Sequence, residues 1–367
     1  MGQRLRLIVD ISGHGLGHLT QIAPVVRALR ELVPGLEIVA RSAVPRAVLA
    51  ANLGPLAGIA APPPDVGLIM TGPHVPDIAA THDAYRAVHA DLPQVASTQA
   101  RDLAALGADA LVSDIAYTGL LGADRLGLPS ACLCSLHWGE VVSAYLGAGN
   151  PDVREIQHEI GATYDLAREF IVPAPRRSVP GIRRQRGVPP LVRTWGRRRP
   201  DEIAASCGRP PGTRIALVTF GGLGGTLPEV HVPDWPSWMW IVPQAHQPEL
   251  GRAAITPIAQ LAQFDFLDLV ASSDLVVTKT GYGTFMECCH YGVPCVFLSR
   301  PDWPESAEIE AWMTTSGHGV SVTLHELQGP GWWHPALSIL QTARPSETAT
   351  GHQIAADRLV DVLELAP

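Results

Sequence analysis

Lysine is almost missing from this chain: of its 27 basic residues only Lys279 is not an arginine. Aromatic residues are few, at 6%, while 35 Gly and 33 Pro favour many short turns over long bundles or coiled coil. No self-similarity recurs at 20 to 50 residues, which excludes a repeat architecture. The six cysteines form no C-x-x-C pair, so a zinc site of the usual spacing is not expected. Their apolar neighbours read as buried thiols in a reducing compartment. No apolar run reaches the roughly 18 residues of a membrane span, and the opening MGQRLRLIVDIS reads as a strand rather than a signal peptide. Arg6 stands where a myristoylation signal wants Ser or Thr. A cytoplasmic protein without membrane insertion is the expectation. A net charge of −8 offers no basic face for nucleic acid. Nine arginines do crowd between Arg176 and Arg199 without an acid among them, and most of these are expected to be solvated.

The chain has 367 residues, 46% of them apolar, enough for two domains of ordinary size. Short apolar runs alternate with helical patterns, the mark of parallel sheets covered by helices. Strands are predicted at Leu5–Ile11, Leu36–Ala40, Ala110–Ser113 and Ser130–Cys134, with helices over Leu19–Leu32, Ala84–Leu106, Thr118–Leu126 and Asp152–Glu169. The second half repeats the pattern. Strands are expected at Arg214–Phe220, Trp240–Val242, Leu275–Thr278 and Cys295–Leu298, and helices near Phe285–Tyr291, Glu305–Ser316 and Ile354–Leu365. The expected organisation is a Rossmann-like domain over 1–172, an Arg- and Pro-rich connection over 173–200, a second Rossmann-like domain over 201–350 and a C-terminal helix over 351–367. Two such α/β domains facing each other would put their ligand-binding strand ends on the two sides of a central cleft.

The first strand runs into Ser12-Gly13-His14-Gly15-Leu16-Gly17-His18. This is not the dinucleotide fingerprint, because His18 falls on the third glycine position. It is not a zinc helix either, because no Glu follows His14. What remains is a pair of histidines in a glycine loop at the mouth of a helix. The positive end of the helix dipole would disfavour an imidazolium at His18 and keep a neutral base available. Asp114 ends a strand on the same face of the sheet and can orient such a base. The structural alternatives are a helix cap at His18, a turn filler at His14 and an N-cap at Asp114.

The second informative segment is Thr278-Lys279-Thr280-Gly281-Tyr282-Gly283-Thr284-Phe285-Met286-Glu287. A buried strand enters a glycine turn, and a helix is expected near Thr284. Backbone N–H groups there, the Thr284 hydroxyl and the Lys279 ammonium make an anion site. Glu287 lies one turn on, placed for vicinal hydroxyls such as those of a ribose. The order of a Walker loop is absent. Thr284 and Glu287 also fit a helix capping box.

These segments resemble the inverting GT-B glycosyltransferases, which combine a histidine-bearing N-terminal loop with a C-terminal G-x-x-[ST]-x-x-E signature. Gly15-Leu16-Gly17-His18 with Pro24 resembles the loop of the bacterial peptidoglycan N-acetylglucosaminyltransferase. The chain is also similar to the glycosyltransferase-like N-terminal region of plant L-arabinokinases. It shares GHG-x-GH, the LVSD segment ending at Asp114, Val188–Arg193, GYGT-x-x-E and Arg300-Pro301-Asp302.

The resemblance implies a GT-B fold whose first domain binds the acceptor and whose second binds a nucleotide-sugar donor. It implies His18 or His14 as the base with Asp114 as partner. Gly222 within Gly221–Gly225, Phe266, Lys279, Thr280, Gly281, Tyr282, Gly283, Thr284, Glu287, Asp302 and Glu305 would lie around the donor. Lys279 replaces a pyrophosphate-binding histidine. With no D-x-D triplet, no metal and no cofactor are expected, the nucleoside diphosphate sugar being a co-substrate. The reaction implied is transfer with inversion from a UDP-sugar, UDP-glucuronate among the candidates. The acceptor would be a small molecule, a specialised-metabolite precursor or a nucleobase such as cytosine, as in a cytosylglucuronate synthase-like enzyme of antibiotic biosynthesis. Gly17, Tyr117, His137 and Trp138, with Tyr145 beside them, are the acceptor-side candidates, ordinary packing being their alternative role. A nucleotide-sugar-binding module without catalysis and a non-hydrolysing sugar-nucleotide epimerase are the competing functions. Monomer and homodimer both remain open.

Overall fold

The computed structural model describes residues 5–72, 75–221, 230–243, 254–340, 343–345 and 351–365. The chain folds as two compact units. One comprises Met1–Leu191, Asp302–Glu305 and Thr350–Pro367; the other comprises Val192–Pro301 and Ser306–Ala349.

The strands of the first unit are β1 (Arg6–Ile11), β2 (Glu37–Arg41), β3 (Gly58–Ala60), β4 (Met70–Gly72), β5 (Val75–Pro76), β6 (Ala110–Asp114), β7 (Ser130–Leu133), β8 (Glu169–Pro173) and β9 (Gln185–Val188). Its helices are α1 (Gly17–Leu32), α2 (Arg46–Leu53), α3 (Ile78–His89), α4 (Leu92–Ala105), α5 (Thr118–Leu126), α6 (Trp138–Leu146) and α7 (Pro151–Tyr164). The main sheet has the order β3-β2-β1-β6-β7-β8-β9 and is parallel throughout; β4 and β5 form a separate antiparallel ribbon. Parallel strands covered on both faces must be apolar along their length. Leu7, Ile8, Val9, Leu111 and Val112 accordingly have essentially no exposure.

The strand order reverses between β1 and β6, so the crevice at their carboxyl ends is the place where such a sheet receives ligands. Ile11 is in register with Asp114 there.

A buried ion pair braces the same sheet. Asp10 and Arg41 are register partners on β1 and β2, joined by two bonds of 2.6 and 2.5 Å, and Arg41 also donates to Gln99 on α4 at 2.9 Å. Gly119 on α5 lies against the pair: a Cβ there would stand 2.0 Å from an Asp10 carboxylate oxygen.

Three sequence expectations are corrected here. The helix expected over Ala84–Leu106 is two helices, because the Asp91 side chain accepts from the Gln94 N–H and starts α4 afresh, with Pro93 in its first turn. Glu169 belongs to a strand rather than to the end of a helix. The stretch 173–200 is no bare connection: it supplies edge strand β9, and the two units divide at Leu191/Val192.

Six of its nine arginines are exposed, as expected, and the buried or half-buried ones, Arg176, Arg193 and Arg199, are held by acids. Arg176 pairs with Glu140 at 3.0 Å, Arg183 with Asp165 at 2.7 Å, Arg193 with Glu287 at 2.6 Å, and Arg199 with Asp268. The C-terminal helix, Gly351–Val362, belongs to the first unit, where it packs along α1.

The second unit continues with α8 (Pro200–Ser206), α9 (Phe266–Ser272), α10 (Tyr282–Tyr291), α11 (Ser306–Thr315), α12 (Leu324–Gln328) and α13 (His334–Ile339). Its strands are β10 (Arg214–Val218), β11 (Trp238–Val242), β12 (Ala254–Pro257), β13 (Leu275–Lys279), β14 (Cys295–Leu298) and β15 (Gly319–Val322). They form a parallel sheet in the order β12-β11-β10-β13-β14-β15. The reversal now falls between β10 and β13, so the turn after Lys279 opens at the corresponding crevice.

Candidate active site

In the first unit α1 begins at Gly17, two residues earlier than the sequence pattern suggests, with Leu16 as a cap that makes no side-chain bond. His18 therefore sits inside the first turn and is not a cap. Its Nδ1 lies 2.9 Å from Asp114 Oδ1, and the two side chains are 8% and 0% exposed. Its Nε2 meets no described residue and is not sealed from solvent.

Burial resists a charge on the ring, but the Asp114 bond and charge outweigh it, with Asp65 and Glu305 adding to them. The net effect raises the His18 pKa. This corrects the expectation of a depressed imidazole: the neighbouring carboxylates outweigh burial. Burial also pushes the Asp114 carboxyl up, to about 6, against the pull of His18.

His14 is more open. Its Nε2 donates to the Asp65 carbonyl at 3.1 Å, and no carboxylate comes closer than Asp65 Oδ2 at 4.0 Å. Trp138 joins the two histidines, its ring centroid 5.4 Å from His14 and 5.9 Å from His18. The indole N–H donates to Asp65 Oδ1 at 2.7 Å. Gly17 leaves open space at the start of the helix, since a Cβ there would meet nothing within 4 Å.

Two acceptor-side expectations change character. Tyr117 is buried, with its hydroxyl 2.7 Å from His89 Nε2, and His89 in turn is 2.7 Å from Glu159. His137 is the N-cap of α6: Nδ1 accepts from the Gly139 N–H and Nε2 donates to the Pro180 carbonyl at 2.8 Å. Neither residue keeps a free polar edge for a ligand, because both are used inside the fold.

Asp65 was not singled out by the sequence. It lies in a stretch without periodicity between Pro64 and Val66, yet it touches Trp138 and His14 and bears on His18. Glu305 belongs to this unit as well. It is buried and accepts from the Ser135 hydroxyl and from Trp303 Nε1 at 3.2 Å, while Ser135 also accepts from Gln21 at 2.8 Å. Burial raises its pKa. Asp302 is exposed.

Among the described residues, His18, Asp114 and Cys134 are a group close enough to share a metal ion. The 2.9 Å contact between His18 and Asp114 is already a good hydrogen bond. Burial also pushes the Cys134 thiol well up, whereas ligation needs the thiolate. The donor set therefore fits a proton-sharing pair better than a metal site.

In the second unit α10 starts at Tyr282, capped by Gly281 without a side-chain bond. Thr284 is thus the third residue of the helix, and the capping-box alternative for Thr284 and Glu287 is removed. Gly281, Tyr282, Gly283 and Thr284 form the helix entry, whose first N–H groups have no partner within the helix. Lys279 ends β13, half-buried, and no described carboxylate pairs with it. Burial and the charge of Arg300 push its pKa down to about 8.

Thr280 faces inward, its hydroxyl bonded to the Leu298 carbonyl at 3.2 Å and to Glu310, so it ties two strand ends rather than presenting a donor. Glu287 is buried; Oε1 accepts from Arg193 at 2.6 Å while Oε2 has no partner among the described residues. Burial raises its pKa despite Arg193. Phe266 opens α9, half-buried. Gly222 lies outside the described residues, as do 223–225 of the same loop.

Two doubly wound units, each with its polar groups at the reversal of its sheet, define the class by fold. Similar solved structures share it. A kitacinnamycin glycotransferase matches with a TM-score of 0.61 and 17% identity, over 98% of this chain and 100% of that one. A UDP-glucosyltransferase from Polygonum tinctorium, solved with 3,4-dichloroaniline and described as glucosylating indoxyl, gives 0.60 and 17%, over 99% of both chains. The calicheamicin glycosyltransferase CalG4 gives 0.62 and 16%, over the whole of both. The fold is therefore GT-B. In sequence, the chain is 25% identical over 378 residues to an L-arabinokinase of Arabidopsis thaliana, which covers 95% of this chain. It spans about a third of that protein's length, 35%. No family model matches the chain. Among the described residues no helix is long and apolar enough to cross a membrane.

Proposed function

We propose that the protein is a glycosyltransferase that moves a sugar, with inversion and without a metal, from a nucleoside diphosphate sugar to a small-molecule acceptor. The observation that carries this reading is the buried His18–Asp114 pair at the carboxyl end of β6, with Nε2 left unbonded. Nδ1–H donates to Asp114, which fixes the tautomer and leaves the Nε2 lone pair as the base. Nε2 takes the acceptor proton as the acceptor attacks the anomeric carbon, and the bond from that carbon to the diphosphate oxygen breaks. His18 fits this role better than His14, which no carboxylate orients at hydrogen-bond distance.

The second unit supplies the groups that hold the departing diphosphate: the N–H groups opening α10, the Thr284 hydroxyl and Lys279. Glu287 takes a ribose hydroxyl, which favours a ribonucleoside diphosphate such as UDP or GDP over dTDP. Gly17 borders the acceptor, with the buried Trp138 packed behind the two histidine rings. UDP-glucuronate as donor and cytosine or another metabolite precursor as acceptor are the first pair to test.

The test is a product assay: UDP-, dTDP- and GDP-sugars with cytosine and a panel of small acceptors, read by mass spectrometry and NMR. A new glycoside of inverted anomeric configuration is expected from the wild type and not from His18→Ala. A donor bound but unchanged would indicate a binding module, and an epimerised donor an epimerase.

A further inference from the structure

Asp114 is followed at once by a strained turn. Ile115 has φ +63°, although it is β-branched and fully buried, and the Ala116 N–H donates back to the Asp114 carbonyl at 2.9 Å. A bond from residue i+2 to residue i across a positive-φ residue is a γ-turn of the rare, unfavourable hand. Such a conformation persists only where the surroundings over-determine it.

Two hydroxyls hold it here. The Ser113 hydroxyl donates to the Ala116 carbonyl at 2.7 Å, and the Tyr164 hydroxyl, from the end of α7, donates to the Ile115 carbonyl at 2.5 Å. Tyr164 is itself fixed. Its ring packs against Tyr117, His137 and Phe170 at 5.8, 5.6 and 5.5 Å, and its oxygen accepts from the Trp138 N–H at 3.4 Å. Burial keeps the phenol protonated, so it is a donor.

We infer that Tyr164 is a positioning residue: its hydroxyl clamps the Ile115 turn and thereby aims the Asp114 carboxylate at His18. A relaxed Ile115 would return toward negative φ and swing the end of β6, with Asp114 on it, away from Nδ1. The groups that bear on His18 are Asp114, Asp65 and Glu305, with the Cys134 thiol 3.8 Å from Nδ1. Among these, Asp114 is the one the turn moves.

The inference rests on the glycosyltransferase reading only for its effect on rate; the geometry can be read without any substrate. The His18 ring is titrated by NMR, its signal assigned through its loss in His18→Gln. In Tyr164→Phe, which keeps the ring and removes the donor, the His18 titration is expected to move down, toward an ordinary imidazole. If a transfer reaction is in hand, kcat should fall about tenfold to a hundredfold with little change in donor KM. Adding Ile115→Gly, which makes positive φ free of strain, should move the titration back up. A Tyr164→Phe protein that melts earlier but titrates at His18 as wild type does would overturn the inference, the tyrosine being then only a packing element. Should Tyr164→Phe not fold, Ser113→Ala removes the other clamp. A downward move there supports the inference and an unchanged titration overturns it.

Discussion

His18 Nδ1 and Asp114 Oδ1 lie 2.9 Å apart, on a helix and a strand separated by 96 residues in sequence, and both are buried. Residues that each have a bland alternative alone acquire a common purpose as a pair. A buried carboxylate facing a buried imidazole fixes which nitrogen carries the proton. If the pair is a base and its orienter, His18→Ala should lower transfer by about 10²–10⁴-fold while leaving donor binding intact. Asp114→Asn should fall in the same range, since an amide cannot stabilise the imidazolium. Initial rates together with donor titration by calorimetry separate the two effects.

The rate should be bell-shaped in pH. The base must be unprotonated, so kcat/KM falls as pH drops through the His18 pKa, which lies above the usual imidazole value because of Asp114. Lys279 must be protonated to hold a diphosphate, so kcat/KM also falls as pH rises through about 8. Lys279→Arg, whose cation does not titrate in this range, should extend the alkaline limb upward. A pH–rate profile of the two proteins checks both signs.

Arg193 and Glu287 form a buried pair in the second unit, one carboxylate oxygen engaged and the other buried without a partner among the described residues. Removing the cation leaves a buried carboxylate without its partner, so Arg193→Met should lower stability by about 3–5 kcal/mol. Glu287→Gln keeps the shape and should weaken binding of UDP. A 2′,3′-dideoxy analogue, which offers no ribose hydroxyl, should bind both proteins alike. Chemical denaturation and calorimetry read these outcomes.

In the first unit Gly119 faces the Asp10–Arg41 pair with no room for a methyl group, the nearest carboxylate oxygen being 2.0 Å from a Cβ position. Gly119→Ala should cost about 1–3 kcal/mol or more through overpacking and displacement of the pair. A lowered melting temperature checks it.

Much of this architecture was legible in the sequence, for identifiable reasons. Buried parallel strands are short apolar runs, so β1, β6, β13 and β14 fall within a residue or so of their expected places. Glycine loops mark the ends of β1 and β13, which is why His18 and Lys279 stood out, and Asp114 stood out as the end of the apolar run of β6. Edge strand β9, Gln-Arg-Gly-Val, has no apolar run and reads as connection. Partnerships made across the fold were invisible, because nothing local encodes them. Asp65 reaches Trp138 from an aperiodic loop, and Arg193 reaches Glu287 across 94 residues. Tyr117 and His137 looked like pocket residues because aromatic and polar character alone does not tell where a hydroxyl or ring nitrogen is already used.

The most direct test of the central claim is thermal stabilisation by UDP, dTDP and GDP, measured on the wild type and on Lys279→Met. At a hundred times its dissociation constant the right diphosphate should add about 2.7 kcal/mol of stability. That corresponds to a rise of several degrees for units of this size. UDP is expected to give that rise in the wild type, with the rise largely lost in Lys279→Met at the same concentration. A melting temperature unmoved by every diphosphate would contradict a nucleotide-sugar site at Lys279 and Thr284, and would leave only the shared fold.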